Sequence, residues 1–292
     1  QMFYNKAVSK VYENGHCISV SSIALPKYLE MIFIQMINTV NTLMLSDFSR
    51  EAVAATSVAG QIQNLIIVIL NIIIAGTGIL MSVELGKNDR KNASEIAGTS
   101  IVMIVFCSVI IGLLAFVFSG QLMDIMNLSG KSKNLAVDFF KIKMLFLFIK
   151  MSMSWINNLL ICNGYAFYAV IVGVCCNLLN VTFGYIVLYS SLNLHMSRVS
   201  GIAFASVFAE VISLILAGVF LLKKKCPFCF GFNVKLMKKI LKIGTPSGLG
   251  LVSFSFTQII TTGFIASFGI IVLNAKVYIS NIINYTSQFG YA

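Results

Sequence analysis

Ile23-Ala24-Leu25-Pro26 and Ile243-Gly244-Thr245-Pro246 open two stretches of this chain that run in step, 220 positions apart. Thr42, Phe48 and Ala55 of the first are answered by Thr262, Phe268 and Ala275 of the second, and Ile62 and Asn64 by Ile282 and Asn284. The offset holds without a gap through a proline, a hydrophobic run, a short break and a new run. Such agreement marks an internal duplication, with a second copy that runs only as far as Ala292. Duplicated sets of membrane helices are the usual architecture of secondary transporters.

Composition places the whole chain in a bilayer. Of 292 residues 58% are hydrophobic and only 11% charged, and the mean hydropathy is +0.90. No soluble core hides that much apolar surface. Runs such as Ile101 to Phe118 and Val199 to Leu222 carry few or no charges, and a helix needs roughly 20 residues to cross the hydrocarbon. A membrane barrel would instead show short alternating segments. The fold class expected is therefore all-α integral membrane.

Hydropathy and breakers predict spans at 24–46, 53–83, 97–120, 142–162, 166–190, 199–222 and 246–270, with an eighth starting near 272. The second copy follows six spans, an even number, so both copies enter the membrane from the same side and the repeat is parallel. Four segments follow: a polar cytoplasmic lead-in at 1–22, a six-helix lobe at 23–222, a linker at 223–245 and the start of a second lobe at 246–292. The chain starts with Gln1 and ends at Ala292 inside an apolar segment, so both ends are expected to be cuts in a longer reading frame.

The net charge of +11 does not point to nucleic acid, because the lysines lie between apolar runs and not on an amphipathic face with interleaved aromatics. They read as topology signals. One set of alternate loops carries thirteen basic residues, from Lys6 and Lys10 through Lys87, Arg90 and Lys91 to Lys223–Lys225 and Lys242. The other set carries six: Arg50, Lys131, Lys133, Lys141, Lys143 and Arg198. The richer side is expected to be cytoplasmic, which puts the N-terminus on the cytoplasmic side of a plasma membrane that the chain crosses many times. Residues 233–243 set Val234, Met237, Ile240, Leu241 and Ile243 on one face against four lysines, the pattern of an interfacial helix.

Most of the seven cysteines, Cys107, Cys162, Cys175 and Cys176, lie inside apolar runs and imply no disulfide framework. Cys226-Pro227-Phe228-Cys229 has CxxC spacing, yet there is no second ligand pair for a metal and no βαβ context for redox work. It reads as a loop with two incidental thiols. Gly86-Lys87-Asn88-Asp89-Arg90 lacks the glycine pattern of a phosphate loop and reads as a tight turn.

Ionisable groups inside spans are sharper clues, since each costs several kcal/mol unless paired or hydrated. Glu210 falls halfway along the sixth span and Lys150 well inside the fourth, which makes them candidates for an intramembrane pair or a solvated cavity; snorkelling is the alternative for Lys150. Glu30 and Glu84 lie nearer the ends of their spans. Amides gather in four spans, with Gln35, Asn38 and Asn41 along one face of the first, Gln61, Gln63, Asn64 and Asn71 in the second, Asn157 and Asn158 in the fourth and Asn177 and Asn180 in the fifth. Buried amides serve to bond neighbouring helices or to line a hydrated pathway. Their recurrence favours the pathway, with Asn38, Asn41, Lys150, Asn157, Asn180 and Glu210 as its candidate residues.

Ala24-Leu25-Pro26, Val40-Asn41-Thr42-Leu43-Met44, Ala52-Val53-Ala54-Ala55, Gly76-Thr77-Gly78 and Leu85-Gly86-Lys87-Asn88-Asp89 follow one another in an order that resembles the opening of the multidrug and toxic compound extrusion family. Asn163-Gly164, Asn177-Leu178-Leu179-Asn180, Gly201-Ile202-Ala203-Phe204-Ala205 and Ile243-Gly244-Thr245-Pro246-Ser247-Gly248 continue the pattern. The resemblance, to the family's prokaryotic branch and so to a bacterial inner membrane, implies twelve helices in two six-helix lobes that form a V about a central cavity. It further implies export of organic cations or other amphipathic small molecules in exchange for protons or sodium, with no other cofactor, no nucleic acid and no obligatory protein partner beyond the lipid bilayer. Members similar to this chain bind the coupling cation in the first lobe with an aspartate on the first helix and another on the fifth. Asn41 and Gly184 stand at the matching positions, Asn180 is retained and Asn157 is a further contributor. Amides neither titrate near neutral pH nor neutralise a cation, so coupling is expected to rest on Glu210, answered by Lys150, or on helices beyond Ala292.

A flippase for lipid-linked saccharides is the same-fold alternative and would want a strongly cationic cavity, for which Lys150 is the single evident cation. A remnant that no longer transports is the third reading. A membrane enzyme would need His, Cys or acids clustered at one depth, whereas His16 and His195 both fall outside the spans. Phe33, Phe106, Phe146 and Trp155 are candidate cavity aromatics with core or lipid as the alternative.

Overall fold

The computed structural model describes residues 10–13, 16–19, 32, 35, 36, 39, 40, 42–46, 49–128, 130–189, 197–229 and 231–291. Nine helices are numbered within them: α1 Arg50–Gly86, α2 Arg90–Val117, α3 Ser119–Ile125, α4 Gly130–Leu145, α5 Leu147–Cys162, α6 Ala166–Tyr189, α7 Arg198–Lys223, α8 Val234–Ala266 and α9 Ile270–Tyr291. The lead-in contains a small antiparallel hairpin, β1 Lys10–Glu13 with β2 His16–Ser19, in an otherwise all-helical fold. Five of the helices, α1, α2, α6, α7 and α8, are long and apolar enough to cross a membrane, and the bent pair α4–α5 makes a sixth.

Short polar residues start these helices. Ser49 accepts from the Ala52 amide to cap α1, Asp89 from Asn92 to cap α2, and Asn233 from Lys235 to cap α8, each satisfying a donor that the first turn leaves open. Asn88, at φ 63°, and Gly164, at φ 79°, turn the chain sharply between spans.

Several boundaries differ from the hydropathy reading. The fourth span does not begin at 142: helix starts at Gly130, and α4 and α5 meet at Phe146 with a bend of 52°. The polar sequence Gly130-Lys131-Ser132-Lys133 conceals that start, because a hydropathy window sees only the apolar half. The interfacial helix expected at 233–243 is likewise not a separate element. It continues through Pro246 into the seventh span as α8, and its partner is protein: Ile240, Gly244 and Gly248 are buried, whereas Leu241 is exposed. The third span ends at Val117, and Ser119–Ile125 turns off as α3.

α8 packs along α1 at backbone contact distance. A Cβ on Gly76 would lie 2.2 Å from the Ile240 carbonyl oxygen, one on Gly244 2.1 Å from that of Ile72, and one on Gly248 2.5 Å from Ile72 Cγ1. Small residues at this seam let two helices approach where lipid supplies no hydrophobic drive.

The contact between the two copies carries the signature of a two-fold axis. Thr262 donates to Gln61 Oε1 at 2.5 Å, and the Asn281 amide meets Thr42 Oγ1 at 3.4 Å. Shifting Gln61 and Thr42 by the 220-residue offset gives Asn281 and Thr262. Each bond is therefore the counterpart of the other, as an isologous contact requires. The duplication seen in sequence is a pseudo-symmetric pairing in space.

The loop at Cys226–Cys229 is docked. Phe228 meets Trp155 edge to face at 5.7 Å, the Trp155 indole donates to Ser100 Oγ at 2.8 Å, and Gly98 lies so close to the Cys229 carbonyl that a Cβ would stand 1.9 Å from it. Trp155 is thus core; Phe106 faces outward on the surface of α2, and Phe33 lies outside the described residues. Trp155→Phe, which removes the indole donor from a buried partner, is expected to lower stability by about 1 kcal/mol, read as a lower unfolding temperature in detergent.

Candidate functional site

Where α4 breaks into α5, two lysines seven positions apart flank the bend at Phe146 and reach the same acid on α7. Lys143 Nζ lies 2.8 Å from Glu210 Oε1, with 7% and 8% of the two side chains exposed. Lys150 Nζ lies 3.9 Å from the same oxygen and is 37% exposed. Glu210 is thus paired inside the span, as its position demands, but its principal partner is Lys143. Counting basic residues by loop assigns Lys143 to the outer side; the helix that begins at Gly130 carries it into the interior instead. Two lysines and one carboxylate give the cluster a formal charge of +1. Lys150 is the more exposed of the two lysines.

Polar neighbours extend the cluster. Asn180 on α6 donates to Ser206 Oγ at 3.0 Å, one turn before Glu210 on α7. Asn157, on α5 two turns past Lys150, keeps a buried side-chain oxygen without a hydrogen-bond partner among the described residues. Gly184 is buried on α6. Asn38 and Asn41 lie outside the described residues. Other amides are helix glue, since Asn158 donates to the Ile74 carbonyl at 3.1 Å and Asn177 to Gly173 of its own helix.

A second cation, absent from the sequence-based candidates, joins the seam. Lys276 of α9 donates to Thr262 Oγ1, whose hydroxyl in turn donates to Gln61. No carboxylate among the described residues lies within 4.0 Å of it. The 220-residue offset maps Lys276 onto Thr56, so it breaks the symmetry of the seam. Its signal is a lone lysine between Ala275 and Val277 in an apolar helix. Thr262→Val should leave both the ammonium and the Gln61 oxygen without this hydroxyl, at a cost of roughly 1–3 kcal/mol. Loss of stability in that range, with Thr261→Val unaffected because Thr261 bonds only its own helix, is the expected result.

At the opposite end of α7 from Arg198, Lys224 sits over the rings of Tyr165 and Tyr168 at 5.1 and 4.4 Å. The hydrogen bond to Tyr168 raises its pKa, so it stays cationic at all physiological pH. Glu84 pairs with Lys87 at 2.9 Å at the C-terminal end of α1.

Long apolar helices, a bent span carrying charge into the interior and two copies related by a pseudo-two-fold define a multi-pass membrane protein of transporter architecture. The family model MatE matches residues 26–186, and the chain belongs to that family of transporters. It is 32% identical over 279 residues to an uncharacterised transporter of Bacillus subtilis, YisQ, covering 94% of this chain and 61% of that protein. Its fold is similar to that of the MATE multidrug transporter DinF-BH, with TM-score 0.81, 19% identity and coverage of 91% and 60%. It is also similar to a MOP superfamily transporter of Pyrococcus furiosus, described as having a binding pocket of reverse polarity, with TM-score 0.72, 20% identity and coverage of 91% and 61%. The chain thus spans about three fifths of the length of these proteins.

Proposed function

We propose that this chain forms the first lobe, and the start of the second, of a secondary active transporter that exports amphipathic compounds, organic cations among them, in exchange for protons or sodium. Alternating access arises from rocking of the lobes about the Gln61–Thr262 and Thr42–Asn281 contacts. The observation that carries this reading is the buried Lys143–Glu210–Lys150 cluster, because an acid in a span persists only where its charge is answered. Protonating Glu210 would leave two ammonium groups facing each other across a neutral acid, so a change in its charge would act on the packing of α4, α5 and α7. The lysine-rich loops support an orientation with the Arg90 end of the helices, and the N-terminus, on the cytoplasmic side of the plasma membrane.

Lys276 favours a second reading in which the substrate carries an anion, as a lipid-linked saccharide flippase would need. With Lys143 and Lys150 it makes the interior more cationic than Lys150 alone. The experiment is flux in proteoliposomes containing the full-length protein. Uptake of a cationic dye driven by a proton or sodium gradient is expected. Gradient-independent movement of an anionic lipid-linked saccharide, with no dye flux, would select the second reading.

A further inference from the structure

A cleft of about 580 Å³ opens at the junction of α2, α7 and the linker, beyond the last turn of α7. Arg90, Lys91, Ser94 and Glu95 of α2 form one wall, and Lys225 with the Cys226–Cys229 loop forms the other. Three cations face one acid. None of the three has a carboxylate within 4.0 Å among the described residues, so the cleft keeps a formal excess of positive charge.

The cleft is built on fixed parts. Its loop wall is held by Phe228 against Trp155 and by the close crossing of Cys229 over Gly98, and the Asn233 amide donates to Thr99 Oγ1 at 3.3 Å just beyond it. The first turn of α2, which carries Arg90 and Lys91, is itself fixed by the Asp89 cap. Lys225 adopts φ 48°, while its neighbour Lys224 is engaged by Tyr165 and Tyr168. Of these two adjacent lysines, Lys225 is the one that lines the cleft.

Apolar surface lies beside this charge. Leu222, three residues before Lys225, is 78% exposed, and Phe232 and Val234 follow the loop with more than half their area bare. Lys235, Lys238, Lys239 and Lys242 lie in the first turns of α8, at the same end of the bundle. Cations converging on a cleft, with bare apolar side chains a few residues away along the chain on either side of its loop wall, match a phosphate-bearing headgroup with acyl chains attached. A free phosphate would use the cations and leave the apolar border without purpose.

We propose that the cleft between Arg90, Lys91 and Lys225 binds the phosphate headgroup of an anionic membrane lipid. Arg90 supplies the planar fork suited to phosphate oxygens, and the two lysines supply point charges. The lipid would tie the end of the first lobe to the linker that leads into the second.

The test is native mass spectrometry of the full-length protein in detergent with added phosphatidylglycerol or phosphatidylcholine. Wild type should retain phosphatidylglycerol in preference to phosphatidylcholine. The combined variant R90Q/K91Q/K225Q should weaken retention on the order of 100-fold, while K235Q/K238Q/K239Q, which removes as much charge outside the cleft, should change it little. Equal loss in both variants would show a diffuse basic surface and overturn the proposal. Displacement of the lipid by millimolar inorganic phosphate would overturn its assignment to lipid in favour of a free-anion site. An unfolding temperature unchanged between the two variants confirms that the comparison reports binding, and a variant that unfolds is replaced by the single change Arg90→Gln, for which a roughly fivefold loss is expected.

Discussion

Glu210→Leu is expected to destabilise the protein by about 3–5 kcal/mol, because it leaves the Lys143 ammonium buried with its carboxylate gone. Lys143 has 7% of its side chain exposed and no other acid within 4.0 Å among the described residues, so it can neither hydrate nor find another partner in place. Chemical unfolding in mixed detergent micelles measures the change. The companion variant Lys143→Met/Glu210→Leu removes both charges and should recover most of the loss, since an apolar pair of similar volume replaces a costly ionic one. Recovery should be incomplete to the extent that Lys150, 3.9 Å from the same oxygen, also relied on the acid. Equal destabilisation by the single and double changes would mean that the Lys143–Glu210 pair is not the interaction that matters.

The second large effect concerns the seam between the copies. A Cβ at position 244 would stand 2.1 Å from the Ile72 carbonyl oxygen, which is backbone and cannot rotate away. Gly244→Val therefore forces α8 from α1, at a cost expected near 1–3 kcal/mol or above. Gly250→Ala serves as the control on the same helix, because nothing lies within 4 Å of a Cβ there. It should be neutral or stabilising by a few tenths to about 1 kcal/mol through helix propensity. Loss of transport in Gly244→Val with retained expression would tie this close approach to the movement of the lobes.

Much of the architecture is legible in the residues alone. The 220-residue offset implies a parallel repeat, and the contact of Gln61 with Thr262, repeated as Thr42 with Asn281, is that offset expressed in space. Glu210 stands out because an acid halfway along an apolar run has few physical excuses. Its principal partner, Lys143, is hidden by the polar residues around it. Lys143 follows Lys131, Lys133 and Lys141 in a stretch polar enough to pass for a loop, yet it is helical from Gly130. The seven-residue spacing to Lys150 is two helical turns, and that spacing is the available clue. Lys276 escapes a search for matched positions because its counterpart, Thr56, is uncharged. The docking of the Cys226–Cys229 loop depends on a tryptophan far away in sequence, and no local pattern announces it.

Transport in this proposal rests on Glu210 as the group whose protonation is linked to movement. The most direct measurement is substrate flux in proteoliposomes of the full-length protein, wild type against Glu210→Gln, under imposed proton and sodium gradients. Glutamine keeps the shape and a hydrogen-bond acceptor for Lys143 but cannot titrate. Flux that no longer responds to the gradient driving the wild type, with substrate binding retained, is the result predicted. Unchanged dependence on both gradients would contradict it.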